Sequence, residues 1–138
     1  MQIRKMTIED YDKIYELWVN TPGMVLNAKD DSKDGIHKYL LRNSNTCFVA
    51  EKDSAIVGVI LCGHDGRRGY IHHMDVETAS LKEGIESLLL QQAMEALKRE
   101  GITKVALVVF KGNAVGNSFW ENWGYSPRND LIYWNKNL

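Results

Sequence analysis

Cysteine is scarce in this chain: only Cys47 and Cys62 occur among 138 residues. Two cysteines do not make a disulfide framework, and both sit in apolar, strand-like surroundings, so they read as buried, reduced thiols. There is no C-x-x-C pair and no zinc-like spacing of ligands, so no metal is expected. His72 and His73 are neighbours, and on a regular strand they would point to opposite faces and could not chelate one ion. An excess of positive charge is also missing. Seventeen basic residues face eighteen acidic ones, for a net charge of −1, which argues against a dedicated nucleic-acid-binding domain. Long apolar runs are absent; a stretch such as Val105–Phe110 is far too short to span a bilayer. The start MQIRKM lacks the apolar core of a signal peptide. A cytoplasmic protein without a membrane partner is therefore expected. With no repeat, low-complexity segment or linker, residues 1–138 read as one domain, long enough to bury a real core.

What is present is a regular alternation of patterns. Gln2–Met6 reads as a strand. A helix then opens at Thr7 and carries Ile8, Tyr11, Ile14, Leu17 and Trp18 at helical spacing until Thr21–Pro22–Gly23 stops it. Residues 24–34 are loop-like and hold Asp30, Asp31 and Asp34, with Ser32 placed to cap a second helix through Ile36 and Leu40. Thr46–Glu51 and Ala55–Cys62 flank a Lys52-Asp53-Ser54 turn, and a glycine-rich hairpin leads to Tyr70–Val76. A long helix follows and ends at Gly101. Lys104–Phe110 reads as a strand buried on both sides. Asn113 caps a helix that runs to Gly124, and Leu131–Asn135 reads as a closing strand. The order is β-α-α-β-β-β-α-β-α-β, an α/β arrangement with a mixed sheet and helices on both faces.

The most informative stretch is YIHHMDVETASLKEGIESLLL, Tyr70 to Leu90. A strand running into a helix start is where free backbone N–H groups and the helix dipole favour an anion. Here that junction carries Gly84 but also Glu83 and Glu86. Ser80 followed by Glu83 reads as a capping box, which would occupy the free N–H groups. A glutamate gains about 0.3–1 kcal/mol near a helix start. Held ~4 Å from a phosphate charge it would cost about 4 kcal/mol at an effective dielectric of 20.

The order of elements, together with VAEKDSAIVGVILCGHDGRRGYIHHMDV and FKGNAVGNSFWENWGY, resembles the GNAT superfamily of acyl-CoA-dependent N-acetyltransferases over nearly the whole chain. That resemblance implies a mixed, mostly antiparallel central sheet. It implies acetyl-CoA lying as a pseudo-strand against the backbone of Met74 and Val76, with pyrophosphate at the loop matched by Leu81, Lys82, Glu83, Gly84, Ile85 and Glu86. Of that loop's usual small and basic residues, Gly84 survives; Leu81 and Glu86 depart from the pattern, and Lys82 offers one compensating charge. Asn113 matches a position that contacts the pantetheine arm, and it is also a good helix cap. The implied reaction is direct attack of a primary amine on the thioester, the acceptor being a small molecule or a peptide. His72 is the candidate base, with His73 on the opposite face. Trp120 stands where the family's tyrosine acid would be, and an indole supplies no proton at neutral pH. The aspartates of residues 30–34 read either as a solvated loop or as an attraction for a cationic amine. The alternative to an enzyme is a GNAT-fold domain that has lost acetyl-CoA and serves as a ligand-binding or interaction module. Oligomeric state, a homodimer included, is left open.

Overall fold

The computed structural model describes all 138 residues. They fall into two compact units, Met1–Leu107 and Val108–Leu138. The first unit is built on a five-stranded sheet whose spatial order follows the chain: β1 (Gln2–Lys5), β2 (Phe48–Lys52), β3 (Ala55–His64), β4 (Gly69–Val76) and β5 (Val105–Ala106). β1 through β4 pair antiparallel, and β4 with β5 is the one parallel pair. β3 is buried without interruption from Ile56 to Gly63, as expected for an apolar central strand covered on both faces. Asp53 and Ser54, both at positive φ, make the tight turn into it.

One face is covered by α1 (Tyr11–Val19) and α2 (Lys33–Arg42). Their apolar stripes bury Ile14, Leu17, Trp18, Ile36 and Leu40 against Val49, Val59 and Leu61. The Ser32 side chain caps α2 by accepting from the Gly35 N–H at 3.1 Å, as the sequence suggests. The other face is covered by α3 (Ile85–Arg99), which buries Ile85, Leu89, Ala93, Ala96 and Leu97. Gly58 lets α3 approach: a Cβ there would lie 3.0 Å from Leu89 Cδ1 and 3.2 Å from Ile85 Cγ2.

Two strand expectations need correction. Within Lys104–Phe110 only Val105 and Ala106 join the sheet. They are half-buried and exposed, not buried on both sides, because pairing with β4 ends after Tyr70↔Ala106. Residues 131–135 form no strand, since no ladder partner is paired with them. The closing β element of the expected order is therefore absent.

The second unit holds α4 (Ala114–Asn122). Asn113 Oδ1 accepts from the Gly116 N–H at 2.9 Å and caps it. Phe119, Trp120, Trp123 and Tyr125 form a string of ring contacts, and Gly124 at φ +85° ends the helix.

Candidate functional site

The candidate site is organised by β4. Leu61 of β3 pairs with His73, whereas the next residue, Cys62, pairs with Ile71. His72 is thus the extra residue of a β-bulge, a device that re-aims side chains next to active sites. The bulge overturns the expected alternation. His72 and His73 line the same cavity, of about 640 Å³, together with residues of α2 and of the segment before it. Ile71, Met74 and Val76 pair with Cys62, Ile60 and Gly58, and a Cβ on Gly58 would meet α3. These three therefore belong to the α3 face. His72 does not share that face with Met74 and Val76, and His73 does not point away from His72.

The two imidazoles are held differently. His73 Nε2 lies 2.9 Å from Asp31 Oδ1, and its ring sits 4.7 Å from that of Trp18. Asp31 is 8% exposed. Its Oδ2 accepts from the Asn27 N–H at 2.8 Å, and its backbone carbonyl accepts from the Tyr11 hydroxyl at 2.7 Å. The pair is a fixed His–carboxylate arrangement. His72 has no such tether; its ring packs edge-on to Tyr39 at 5.2 Å and 4.7 Å from Tyr70. Partial burial is the main cause that pushes the His72 pKa below its ordinary 6.5, and the neighbouring His73 adds to it, against the opposing pull of Asp31 and Asp30. His72 is thus a neutral imidazole at pH 7 with an edge open to the cavity.

Apart from Asp31, one of the aspartates of residues 30–34, the sequence pattern pointed to none of the supporting groups, because they meet only through the bulge and the packing of α1 and α2. Asp75, 8% exposed, is bonded to the Thr21 hydroxyl, and burial pushes its carboxyl above the usual range. The Tyr39 hydroxyl and Trp18 Nε1 are buried without a hydrogen-bond partner.

Beyond Tyr70, β4 has no strand on its β5 side. The Glu77 N–H bonds to the Val57 carbonyl, so alternation turns the N–H and C=O groups of Asp75 and His73 toward β3 and those of Met74 and Val76 toward the open edge. That edge leads into a 3₁₀ turn, Thr78–Glu83, and then into Gly84, whose φ of +74° sets the entry to α3. The expected Ser80–Glu83 capping box is absent. Ser80 Oγ instead donates to Glu77 Oε1 at 2.8 Å, and no side chain caps α3. Its leading N–H groups, from Ile85 to Ser87, therefore stay free of side-chain oxygen, the state in which a helix start binds anions. Glu83 is drawn off to Lys52 Nζ at 2.8 Å, and that cation lowers its pKa. Lys82 is exposed on the same 3₁₀ turn. Asn113 lies in the second unit, its side-chain oxygen used in capping, and Trp120 there packs against Phe119 and Tyr125.

A sequence model of the Acetyltransferase (GNAT) family matches residues 11–125. The chain belongs to that family. It is 26% identical over 138 residues to an acetyltransferase of Sodalis glossinidius, covering 100% of this chain and 96% of that one. In fold it is similar to the PaiA N-acetyltransferase of Thermoplasma acidophilum solved with coenzyme A, with a TM-score of 0.79 and 22% identity over 93% of this chain and 91% of that one. It is also similar to the aminoglycoside 6′-N-acetyltransferase of Acinetobacter haemolyticus, with a TM-score of 0.78 and 15% identity over 100% and 99% of the two chains. The five-stranded, mostly antiparallel sheet with helices is the GNAT arrangement. No helix of this GNAT protein is long and apolar enough to cross a membrane.

Proposed function

We propose that this GNAT protein is a cytoplasmic N-acetyltransferase, working as a single domain over residues 1–138, that moves the acetyl group of acetyl-CoA to a primary amine. The observation that carries the reading is the continuity of three features: the open β4 edge, the uncapped start of α3, and the cavity that His72 enters from the same strand. The residues fit the cofactor. Met74 and Val76 turn backbone groups to the open edge, where they would pair the pantetheine arm, and Gly84 with the first N–H groups of α3 would hold the pyrophosphate. Lys82 would add one positive charge. Asn113, in the second unit, uses its side-chain oxygen to cap α4. Leu81 and Glu86 weaken the loop, and Glu83 is held by an exposed salt bridge to Lys52 at 2.8 Å.

When bound, acetyl-CoA supplies a thioester carbonyl on which a neutral amine forms the amide C–N bond as the C–S bond breaks. His72 takes the proton the amine sheds, its imidazole being neutral at pH 7. His73, tied to Asp31, holds the bulge and keeps a defined ring beside His72. An indole such as that of Trp120 supplies no proton at neutral pH, so the thiolate would leave as the anion or take its proton from a tyrosine such as Tyr70 on β4. The acceptors named for relatives, aminoglycosides among them, belong to proteins alike in fold alone and do not fix the acceptor here. The test is release of the coenzyme A thiol from acetyl-CoA with a panel of primary amines. Amine-dependent release is expected. No release with any amine, beside normal turnover by a GNAT enzyme with an intact loop, would leave the non-catalytic module as the reading.

A further inference from the structure

The segment 21–31, which joins α1 to α2, is fastened at both ends to one face of β4. At its far end Asp31 Oδ1 lies 2.9 Å from His73 Nε2. At its near end the Thr21 hydroxyl is bonded to Asp75, two residues further along the same strand. Of the apolar side chains between them, Met24 and Leu26 pack against the core, and both are half-buried. Asn27, Lys29, Asp30 and Asp31 line the cavity that His72 enters. The two fastenings are unequal. Asp31 is held as well by the Tyr11 hydroxyl on its carbonyl and by the Asn27 N–H on its carboxylate, so the Thr21 end depends more on its single side-chain bond.

That bond has a direction. A hydroxyl has one hydrogen to give, and Thr21 Oγ1 lies 2.9 Å from the Leu17 carbonyl, which can only accept. The Thr21 N–H goes to the Trp18 carbonyl instead, so the hydroxyl is what satisfies Leu17 at the end of α1. The hydrogen between Thr21 and Asp75 then belongs to the carboxyl. We infer that residues 21–31 are a strap along the His72 cavity, latched to β4 by a protonated Asp75, and that loss of this proton lets the Thr21 end open. Burial of Asp75 acts in the same direction, raising its pKa above the ordinary 3.8 against the pull of His73. His73, with Asp31 bonded behind it, is the ionisable neighbour on β4. The last turn of α1 packs Leu17 and Trp18 toward the sheet and β3 sets Val59 opposite Asp75, none of them charged. Opening brings the carboxylate into water, so opening and proton loss are linked.

Two measurements on the full chain test the latch: the carbon-13 resonance of the Asp75 carboxyl against pH, and hydrogen exchange at the Thr21 and Met24 N–H groups, which bond to the Trp18 and Thr21 carbonyls. The resonance is expected to titrate above the ordinary 3.8. Protection at Thr21 and Met24 is expected to fall about tenfold per pH unit from that value up to the Asp75 midpoint and then to level off. The Asp31 N–H, at the other end, should change less. Asp75→Asn, whose amide still donates to Thr21, should hold protection at the wild-type acid level without the slope. Thr21→Val should lower it at every pH. A carboxyl titrating at the ordinary value, protection that is flat with pH in the wild type, or an Asp75→Asn variant that loses protection or keeps the slope would each overturn the inference. No turnover is measured, so the outcome is independent of the acetyltransferase reading.

Discussion

The two faces of the sheet are built from the same strands and do different work. On the α3 side the contacts are apolar and close, with Gly58 admitting Leu89 and Ile85 to the strand backbone. On the α1/α2 side the same sheet carries His72, His73 and Asp75 from β4; the turn before α2 brings Asp31, and the helices bring Tyr39 and Trp18, to that side. Two of those helix side chains, Tyr39 and Trp18, keep buried polar atoms without partners, a cost that an optimised core would avoid. Both faces bury apolar side chains, but the α1/α2 face also encloses the polar groups of the candidate site. A single bulge makes the division, because it places two successive histidines on the side that a regular strand would give to only one.

The comparison breaks at its strongest point if substitutions on the two faces act alike. His72→Gln is expected to lower kcat by about 10²–10⁴-fold, or ~2.7–5.5 kcal/mol, with little change in melting temperature. With the imidazole pKa held below 6.5, the acid limb of the wild-type rate profile should lie below pH 6.5 and vanish in the variant. On the opposite face, Leu89→Ala should cost about 2–5 kcal/mol in urea unfolding, while KM for acetyl-CoA in the folded fraction stays near the wild-type value. Asp31→Ala should cost ~1–3 kcal/mol through the orphaned Asn27 N–H and His73 ring. It should also shift the His72 rate profile, which a purely structural aspartate would leave in place.

The smallest effect is expected at Asp75. Its folded-state pKa is raised, so its contribution to stability is fully present below the ordinary 3.8 and is lost as pH rises through the higher folded value. Asp75→Asn should therefore be neutral or slightly stabilising at pH 7. Unfolding free energies compared at pH 3 and pH 7 check this, and a large loss at pH 7 would mean that the carboxylate is needed in its charged form.

Much of the first unit could be read from the sequence. The long apolar run of β3, the 3.6-residue stripe of α3 with its stop at Gly101, and the Ser32 cap all announce themselves locally, and the resemblance to GNAT proteins located the β4-to-α3 junction. What stayed hidden depends on register and on competition between partners. The bulge at His72 arises from pairing between β3 and β4, which the order of residues on β4 does not encode. The Ser80–Glu83 pattern has the spacing of a capping box, yet Ser80 finds Glu77 and Glu83 finds Lys52. The 3₁₀ turn and the left-handed Gly84 then start the helix without a cap. Leu131–Asn135 has strand-like residues but no paired neighbour, and propensity without a partner makes no strand.

The account depends most on whether the junction at Gly84, with Leu81 and Glu86 in place of the family's usual residues, still holds coenzyme A. Thermal melts with and without acetyl-CoA test this directly. At one hundred times the dissociation constant a ligand of the folded state adds ~2.7 kcal/mol, a rise of about 5–10 °C for a chain of this size. The expected result is such a rise, reduced by Gly84→Val, which cannot adopt φ +74° without strain. A flat melting temperature at millimolar acetyl-CoA, beside a clear rise in a GNAT protein with an intact loop, would contradict it.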